Sequence, residues 1–302
     1  MIWRLEAMSA SGVEGTVLGT LVMPYCSGMG NLIFAFIIGF GAAPASGIVT
    51  NGLVNNVTNM TLLIGLPAVI WSMNLNPQAK GKKKKADSKE RHVNRLSLLL
   101  TLTAVGFFTG AVWALGRDGK LDVGEGIVLI GVFLFWQCFH VFEVLKSNVR
   151  QNKSFNPRLL LDLALLALGA YGIYVSTNWI VEAINNVPKG FFRAENLGWL
   201  TGWLMVLPNA LLAFYYARRG NPEVVYTSQV GDGHISIPLC LGIVALFRPV
   251  RVPAFFDTGI ALLLTAAAIH FVFIAFLGRL PRWMGCILAL AYLVFLWTGF
   301  GK

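Results

Sequence analysis

Two apolar regions of this chain contain amide, hydroxyl and carboxyl side chains at positions that could bind a small ligand. The first region carries Asn31 and the polar run 51–59, and the second carries Asn209, Asp232 and Ser236. All of these side chains supply oxygen atoms. Polar groups at membrane depth are expected only where they face a protein interior or a wet cavity, and they are functional by default. If these regions cross a membrane, the pattern predicts a binding site.

The segments that must position these residues have the composition of membrane helices. Of the 302 residues, 56% are hydrophobic and only 13% are charged, which lies outside the usual range of soluble proteins. Apolar runs of about 18 residues or more, each long enough to cross a hydrocarbon core, recur along the whole chain. They predict an all-α integral membrane protein with no removable signal peptide and nine spans, near 14–41, 45–73, 96–115, 126–146, 159–184, 197–217, 222–247, 254–277 and 283–299.

The distribution of charge predicts topology and argues against a nucleic-acid partner. The net charge is +10, but the charges fall in short connections, where an excess of Lys and Arg marks the cytoplasmic side. Most of the 24 Lys and Arg residues lie on one side of the predicted bundle. We therefore expect a multi-pass protein of the cell membrane with a cytoplasmic N-terminus and an external C-terminus. Contact with anionic lipid head groups is a further possibility for Lys82, Lys83, Lys84 and Lys85.

Residue patterns of enzymes and resident cofactors are missing from the sequence. The motifs HExxH and GxSxG do not occur, and neither do paired aspartates on facing helices. The cysteines Cys26, Cys138, Cys240 and Cys286 lie singly in apolar runs, which indicates neither a disulfide framework nor a zinc site. We expect no enzymatic activity and no cofactor.

The chain contains an internal repeat. The segment GMGNLIFAF at 28–36 aligns with VLPNALLAF at 206–214, which matches Asn31 with Asn209. Further on, NNVTNMTLLIGLPA at 55–68 aligns with DGHISIPLCLGIVA at 232–245. The matched spans are the first and sixth, so the two copies are expected to run in opposite directions. Inverted repeats of this kind, with broken helices near the midplane, are typical of secondary transporters.

Glycine and proline in these spans have two interpretations. They could simply permit close helix packing, as they often do in membranes, or they could interrupt the helices around a site. Close packing explains the glycines but not the amides and the carboxylate at matching positions. We therefore predict helix interruptions at Pro24, Gly28 and Gly30 in the first span and at Pro208 in the sixth. We predict them also between Asn51 and Asn59 in the second span and between Gly231 and Pro238 in the seventh.

At these residues the chain resembles the cation/calcium exchanger superfamily, whose best known members are the sodium/calcium exchangers. The segments VMPYCSGMGN and WLMVLPN stand where that family has its first motif, and TNGLVNNVTN and TSQVGDGHIS stand where it has its second. The resemblance implies an inverted-repeat bundle from which the family's first of ten helices is apparently missing. It divides the chain into a first alpha repeat at 1–73, a basic cytoplasmic loop at 74–95, helices at 96–146, a cytoplasmic connection at 147–158, and a second half at 159–302 with the second alpha repeat at 197–247.

The resemblance also implies a set of cation ligands. The family's binding positions fall on Asn31, Asn55 and Asn59 in the first repeat and on Asn209, Asp232 and Ser236 in the second, and approximately on Ser27 and Val206. His234, beside Asp232, is a further possible member of the site. The paired glutamates that the family uses for calcium fall on Asn31 and Asn209. Calcium affinity depends on the number of carboxylates, so this set favours a monovalent cation or a proton over calcium.

Two functions follow from the resemblance. The first is a cation antiporter that works by alternating access and moves Na⁺, H⁺, K⁺ or Ca²⁺. The alternative is a scaffold that has lost transport and acts as a membrane sensor or interaction partner, which the loss of both glutamates favours. His234 has two interpretations as well: it could assist Asp232 in carrying a proton, or be a packed histidine bonded to a nearby carbonyl.

Overall fold

The fold was described from a computed structural model, which covers residues 23–41, 43–71, 73–75, 84–149 and 158–300. These ranges form nine long helices that make up nearly all of the described chain. Seven of them are long and apolar enough to cross a membrane, and the other two have shorter apolar parts, Gly28–Phe40 and Val123–Phe139. The helices are α1 (Met23–Phe40), α2 (Ser46–Ile70), α3 (Lys84–Leu115), α4 (Val123–Val149), α5 (Arg158–Asn185), α6 (Leu197–Arg218), α7 (Pro222–Phe247), α8 (Phe256–Leu277) and α9 (Arg282–Phe300).

The helix bounds confirm the predicted all-α membrane bundle and differ clearly from the prediction at one place. Helix α3 begins at Lys84, not near residue 96, so part of the basic connection 74–95 is helical. Lys, Ala, Glu and Arg dominate this stretch and are good helix formers, which lets the helix continue past its apolar part. The predicted apparent loss of the family's first helix, the start of the first span, and the side chains of Lys82, Lys83, Lys84 and Lys85 lie outside the described residues.

The interruptions predicted in the first and sixth spans are wrong. Helix α1 is continuous from Met23 through Gly28 and Gly30 to Phe40, and α6 continues through Pro208. Pro24 lies at the start of the described part of α1. Proline within a membrane helix is tolerated when neighbouring groups satisfy the freed carbonyl. The distortions lie in α2 and α7.

Four short strands follow the inverted symmetry of the fold. Strand β1 (Met73–Asn74) follows α2 and pairs antiparallel with β4 (Arg279–Leu280), which follows α8. Strand β2 (Lys120–Leu121) follows α3 and pairs antiparallel with β3 (Val250–Arg251), which follows α7. Because α2 and α7 are equivalent in the repeat, the two strand pairs join equivalent elements. Successive helices cross in opposite directions, so the pairs lie at opposite ends of the bundle, as an inverted repeat requires.

Helices α2 and α7 form the centre of the molecule. In each, about four fifths of the apolar span is buried, 78% in α2 and 83% in α7, whereas only 11% of the span of α5 is buried. Asn55, Asn59, Asp232 and Ser236 therefore lie on the two most enclosed of these spans, and α5 lies at the periphery.

Glycine pairs bring the outer helices against this centre in both repeats. A Cβ atom on Gly285 of α9 would lie 2.6 Å from the carbonyl oxygen of Gly65 in α2. A Cβ atom on Gly126 of α4 would likewise lie 3.0 Å from the carbonyl oxygen of Gly242 in α7. Such close backbone approach is how small residues drive helix association in membranes, and here it occurs at two equivalent places, each joining a helix of one half to a central helix of the other.

This geometry predicts that Gly285→Ala destabilises the protein. Its methyl group would collide with backbone that cannot rotate away, and overpacking of this kind costs about 1–3 kcal/mol. Thermal unfolding of the purified protein in detergent should show a lower midpoint. Gly106→Ala in α3 is the matched control, because a Cβ atom there meets nothing within 4 Å. Equal midpoints for the two variants would contradict the proposed helix contact.

Candidate cation-binding site

Helices α2 and α7 each contain one turn of π-helix at equivalent positions. In α2 the segment Thr58–Leu62 is π-helical, and the amide of Leu63 bonds to the carbonyl of Thr58. In α7 the segment Ile235–Leu239 is π-helical, and the amide of Cys240 bonds to the carbonyl of Ile235. Single π turns within α-helices are frequent at functional sites. These two begin three residues after Asn55 and Asp232.

Different residues accompany the distortion in the two repeats. In α2 the hydroxyls of Thr58 and Thr61 donate to the carbonyls of Val54 and Val57, a contact that competes with main-chain bonding and bends helices. In α7 Pro238 lies inside the π segment and can supply no main-chain N–H. The shared backbone shape thus arises from different sequences.

Each π segment contains the last residue of a row of polar side chains. Asn51, Asn55 and Asn59 are spaced by four residues in α2, and Ser228, Asp232 and Ser236 have the same spacing in α7. Residues four apart share one face of a helix. All six are buried, with no more than 3% of any residue exposed, so each central helix presents a polar face to the interior of the bundle.

The structure brings four of the predicted site residues together at Asp232. The Oδ2 atom of Asp232 accepts hydrogen bonds from the Nδ2 atoms of Asn31 (3.3 Å), Asn59 (3.1 Å) and Asn209 (3.4 Å). Asn59 Nδ2 also donates to Asn55 Oδ1 at 2.8 Å. These five residues are fully buried. They come from α1, α2, α6 and α7, so both repeats contribute to one cluster.

Each of these contacts leaves an oxygen atom without a partner. Within the described part of the chain, the Oδ1 atoms of Asn31, Asn59, Asn209 and Asp232 are buried and accept no hydrogen bond. Buried acceptors of this kind are uncommon, because each one costs roughly 1–3 kcal/mol of desolvation when left unmade. Several such oxygens around one carboxylate are what a partly dehydrated cation requires.

Close packing of α1 supports this arrangement. A Cβ atom on Gly28 would lie 3.2 Å from Asp232 Oδ1, so the backbone of α1 approaches the free carboxylate oxygen directly. At the other end of α1, the guanidinium of Arg248 donates to the carbonyls of Ile38 and Gly41. This contact satisfies carbonyls that the end of a helix leaves free. Helix α1, and with it Asn31, is thereby anchored to the end of α7.

The charge of the cluster comes from a single group. Asp232 is the one carboxylate among the residues that the structure brings together there. Nowhere in the described ranges do three or more His, Cys, Asp or Glu side chains meet. The remaining oxygens belong to neutral amides, so the site can neutralise one unit of positive charge and supply dipoles to the rest of the coordination sphere.

Ser236 and His234 make contacts other than with the Asp232 carboxylate. The Ser236 hydroxyl donates to the main-chain carbonyl of Asp232 and accepts from Asn56 Nδ2 at 2.7 Å. Ser236 therefore links α7 to α2 beside the cluster. His234 Nε2 lies 3.0 Å from the carbonyl oxygen of Thr101 in α3, and its ring packs edge-on against Phe108 and Trp136. These contacts favour the packed-histidine interpretation. The side chain of Ser27 lies outside the described residues.

Two buried side chains extend the cluster beyond the predicted residues. Asn51 Nδ2 donates to Thr201 Oγ1 (3.1 Å), and Gln229 Nε2 donates to the carbonyl oxygen of Asn209 (3.2 Å). Asn51 Oδ1 and Gln229 Oε1 have no partner in the described part of the chain. The four-residue spacing of Asn51 from Asn55 was the sequence signal for the first. For Gln229 the sequence signal was only that it is a polar residue inside an apolar span.

Comparison with known proteins shows the family. The model of the sodium/calcium exchanger protein family matches residues 1–142 and 161–301. The chain belongs to this family. Membership in a family of cation exchangers assigns it to membrane cation transport and agrees with a protein that is not an enzyme.

Individual relatives of this exchanger chain are distant in sequence. An uncharacterized membrane protein of Methanocaldococcus jannaschii is 21% identical over 287 residues, which cover 93% of this chain and 86% of that protein. The sodium/calcium exchanger MaX1 of Methanosarcina acetivorans is 27% identical over 146 residues, covering 45% of this chain and 39% of MaX1.

Solved structures of the sodium-calcium exchanger NCX_Mj have the same fold as this exchanger chain. The structure soaked with 2.5 mM Na⁺ and 10 mM Sr²⁺ superposes with a TM-score of 0.63 at 19% identity, over 95% of this chain and 88% of that one. The structure soaked without Na⁺ and Ca²⁺ gives 0.60 at 20% identity with the same coverage. The likeness establishes the architecture of the exchanger bundle and leaves the ligands to be argued from this chain's own residues.

Proposed function

We propose that this exchanger is a cation antiporter that works by alternating access and carries its ion at Asp232. The observation that carries the proposal is the group of unpartnered oxygens around one buried carboxylate, on Asn31, Asn59, Asn209 and Asp232. Both inverted repeats supply them, and the meeting point of such repeats is where secondary transporters place substrate and coupling-ion sites.

The charge of the site favours a monovalent cation or a proton. A divalent ion beside Asp232 alone would leave a net positive charge in a medium of low dielectric, where uncompensated charge is expensive. A monovalent ion would be neutralised. An asparagine can also present either end of its amide. Rotation about χ2 replaces the N–H donors that face Asp232 with the Oδ1 atom, which can coordinate an ion. Asn31, Asn59 and Asn209 can thus stabilise the carboxylate without a cation by donating to it, and with a cation by binding that ion.

Movement between access states is proposed to involve α1 and α6. These equivalent helices each give one asparagine to the cluster, Asn31 and Asn209, whereas α2 and α7 supply the rest from the enclosed centre. A tilt of α1 or α6 would open one side of Asp232 to water while the central pair stays in place. The inverted symmetry gives the second open state by the equivalent motion of the other helix.

Transport by the purified protein tests the proposal. In proteoliposomes with an imposed gradient of Na⁺, K⁺ or H⁺, the wild-type protein should show gradient-driven cation flux. Asn31→Ala and Asp232→Ala should abolish it because they remove ligands from the cluster. Asn185→Ala, which removes an exposed amide at the end of α5, is the matched control and should transport normally. Normal transport by both cluster variants would show that the ion binds elsewhere.

Added carboxylates should change the preferred ion. Asn31→Glu combined with Asn209→Glu would place two more negative charges beside Asp232, and calcium affinity rises with the number of carboxylate ligands. We expect the double variant to gain Ca²⁺-dependent thermal stabilisation that the wild-type protein lacks at the same concentration, since a ligand of the folded state stabilises it. Asn185→Glu is the control for surface charge. Unchanged behaviour of the double variant would contradict the proposed geometry.

The orientation proposed from the charges places the N-terminus and the β1–β4 pair in the cytoplasm, with the β2–β3 pair outside. Lys82, Lys83, Lys84 and Lys85 would then meet the anionic leaflet. In a background without native cysteines, an impermeant thiol reagent added to intact cells should label Lys120→Cys in β2 and leave Arg279→Cys in β4 unlabelled until the cells are opened. Both positions are exposed. The opposite pattern of labelling would reverse the orientation.

A non-transporting sensor is a second candidate that one observation favours. Three amide nitrogens already lie within hydrogen-bond distance of Asp232 Oδ2, so the carboxylate is stabilised by the protein alone. Gradient-driven flux would exclude this function, whereas the lack of both flux and any thermal shift with Na⁺, K⁺, Ca²⁺ or Mn²⁺ would support it.

A further inference from the structure

The α2 π segment also makes a buried polar contact with α8. His270 of α8 is fully buried, and its Nε2 atom lies 2.7 Å from the carbonyl oxygen of Met60. Met60 belongs to the segment Thr58–Leu62 and directly follows Asn59, whose amide donates to Asp232. A buried histidine of α8 therefore touches the turn that presents a cluster residue.

The chemistry of this contact defines the state of the ring. A carbonyl oxygen can only accept, so Nε2 must carry the hydrogen and donate it. In the neutral ring Nδ1 is then an acceptor, and it has no partner among the described residues. The ring of Tyr226 from α7 packs edge-on against the imidazole, with centroids 5.5 Å apart. His270 of α8 is thus enclosed by α2 and α7, and the hydrogen bond to Met60 joins its side chain to α2.

The carbonyl that His270 contacts lies inside the π turn of α2. A π turn shifts main-chain bonding from the fourth to the fifth residue, here between the amide of Leu63 and the carbonyl of Thr58. A side-chain donor to a carbonyl of this turn can stabilise the altered bonding, because the interior of a membrane protein offers no water to do so. Return of the segment to regular α-helical bonding would rotate the side chains that precede it by about 100° relative to those that follow, one residue's turn of a helix. Asn59, the second residue of the segment, would turn with them and leave Asp232.

We propose that His270 is a positioning residue for the cation site: its Nε2–H bond holds the carbonyl of Met60 and thereby keeps the π turn that directs Asn59 towards Asp232. The inference rests on the proposed cation-binding function of this cluster. In this inference α8 supports the site, although it contributes no residue to the cluster. His270 touches neither Asp232 nor Asn59 and acts only through the backbone of α2.

Substitution of His270 tests this role with two measurements. His270→Phe keeps a ring of similar volume and removes the donor, and His270→Gln keeps an N–H donor. Tyr226→Phe is the control, because it removes a neighbouring buried hydroxyl that has no partner in the described residues. The first measurement is amide hydrogen exchange of residues 58–62 by mass spectrometry. The second is the concentration of Na⁺, K⁺ or H⁺ that gives half-maximal thermal stabilisation of the protein.

The expected result is specific to positioning. His270→Phe should speed exchange in residues 58–62 and raise the half-maximal cation concentration roughly tenfold, as loss of one buried hydrogen bond predicts. His270→Gln should restore much of the affinity, and Tyr226→Phe should change neither quantity. If His270→Phe cannot be purified, His270→Leu replaces it with the same expectation.

Other outcomes separate the inference from the function on which it rests. A lower unfolding midpoint for His270→Phe with unchanged cation affinity and unchanged exchange in residues 58–62 would show that His270 only packs. If the wild-type protein responds to cations and Asp232→Ala does not, the proposed function stands whatever His270 does. If the wild-type protein itself shows no response to any cation, the proposed function fails and the inference fails with it.

Discussion

The fold depends on one constraint, which is that a carboxylate inside a membrane protein must be surrounded by polar groups that the protein itself provides. Isolated burial of Asp232 would be prohibitive. Its stabilisation requires donors from α1, α2 and α6 to converge on α7. The close approach of α1 at Gly28, the π turns and the arrangement of the two repeats can each be understood as geometry that meets this requirement.

The two repeats share a backbone and differ in chemistry. Their π turns, strand pairs and glycine contacts correspond, but Asn55 and Asn59 of the first repeat stand where the second has Asp232 and Ser236. A symmetric pair of carboxylates would repel in this confined space unless ions held them together. One aspartate among amides avoids that repulsion. Under the proposed antiporter function, the symmetry would provide two equivalent ways to open the molecule, and the asymmetry would determine how much charge is carried.

Much of this architecture could be predicted from the sequence, because long apolar runs and repeated polar residues are strong local signals. The spans of α2 and α5 to α9 were located to within a few residues, and Asn31, Asn59, Asn209 and Asp232 meet as a cluster. The π turns could not be predicted, since in α2 they accompany ordinary threonines that bond to their own helix. Pro24, Gly28 and Gly30 suggested an interruption that α1 lacks, because glycine there serves close packing.

The roles of individual polar residues were harder to predict than their burial. Ser236 and His234 lie beside the cluster in sequence, yet they bond to backbone atoms of α7 and α3. Gln229 and His270 gain their contacts only through the packing of distant helices. Spacing along one helix identifies a face, whereas the partner of that face depends on tertiary structure that one sequence does not display.

The two strand pairs limit how this molecule can move. Each pair fastens an element of one half to an element of the other, β1 to β4 at one end of the bundle and β2 to β3 at the opposite end. The strand pairs thus connect α2 with α8 at one end of the bundle and α3 with α7 at the other. These four helices form a closed frame. A shear of one half past the other would break main-chain bonds at both ends together. Under the proposed antiporter function, a passage for ions would open at the edge of this frame, where the described parts of α1, α5 and α6 are not joined by these strand pairs.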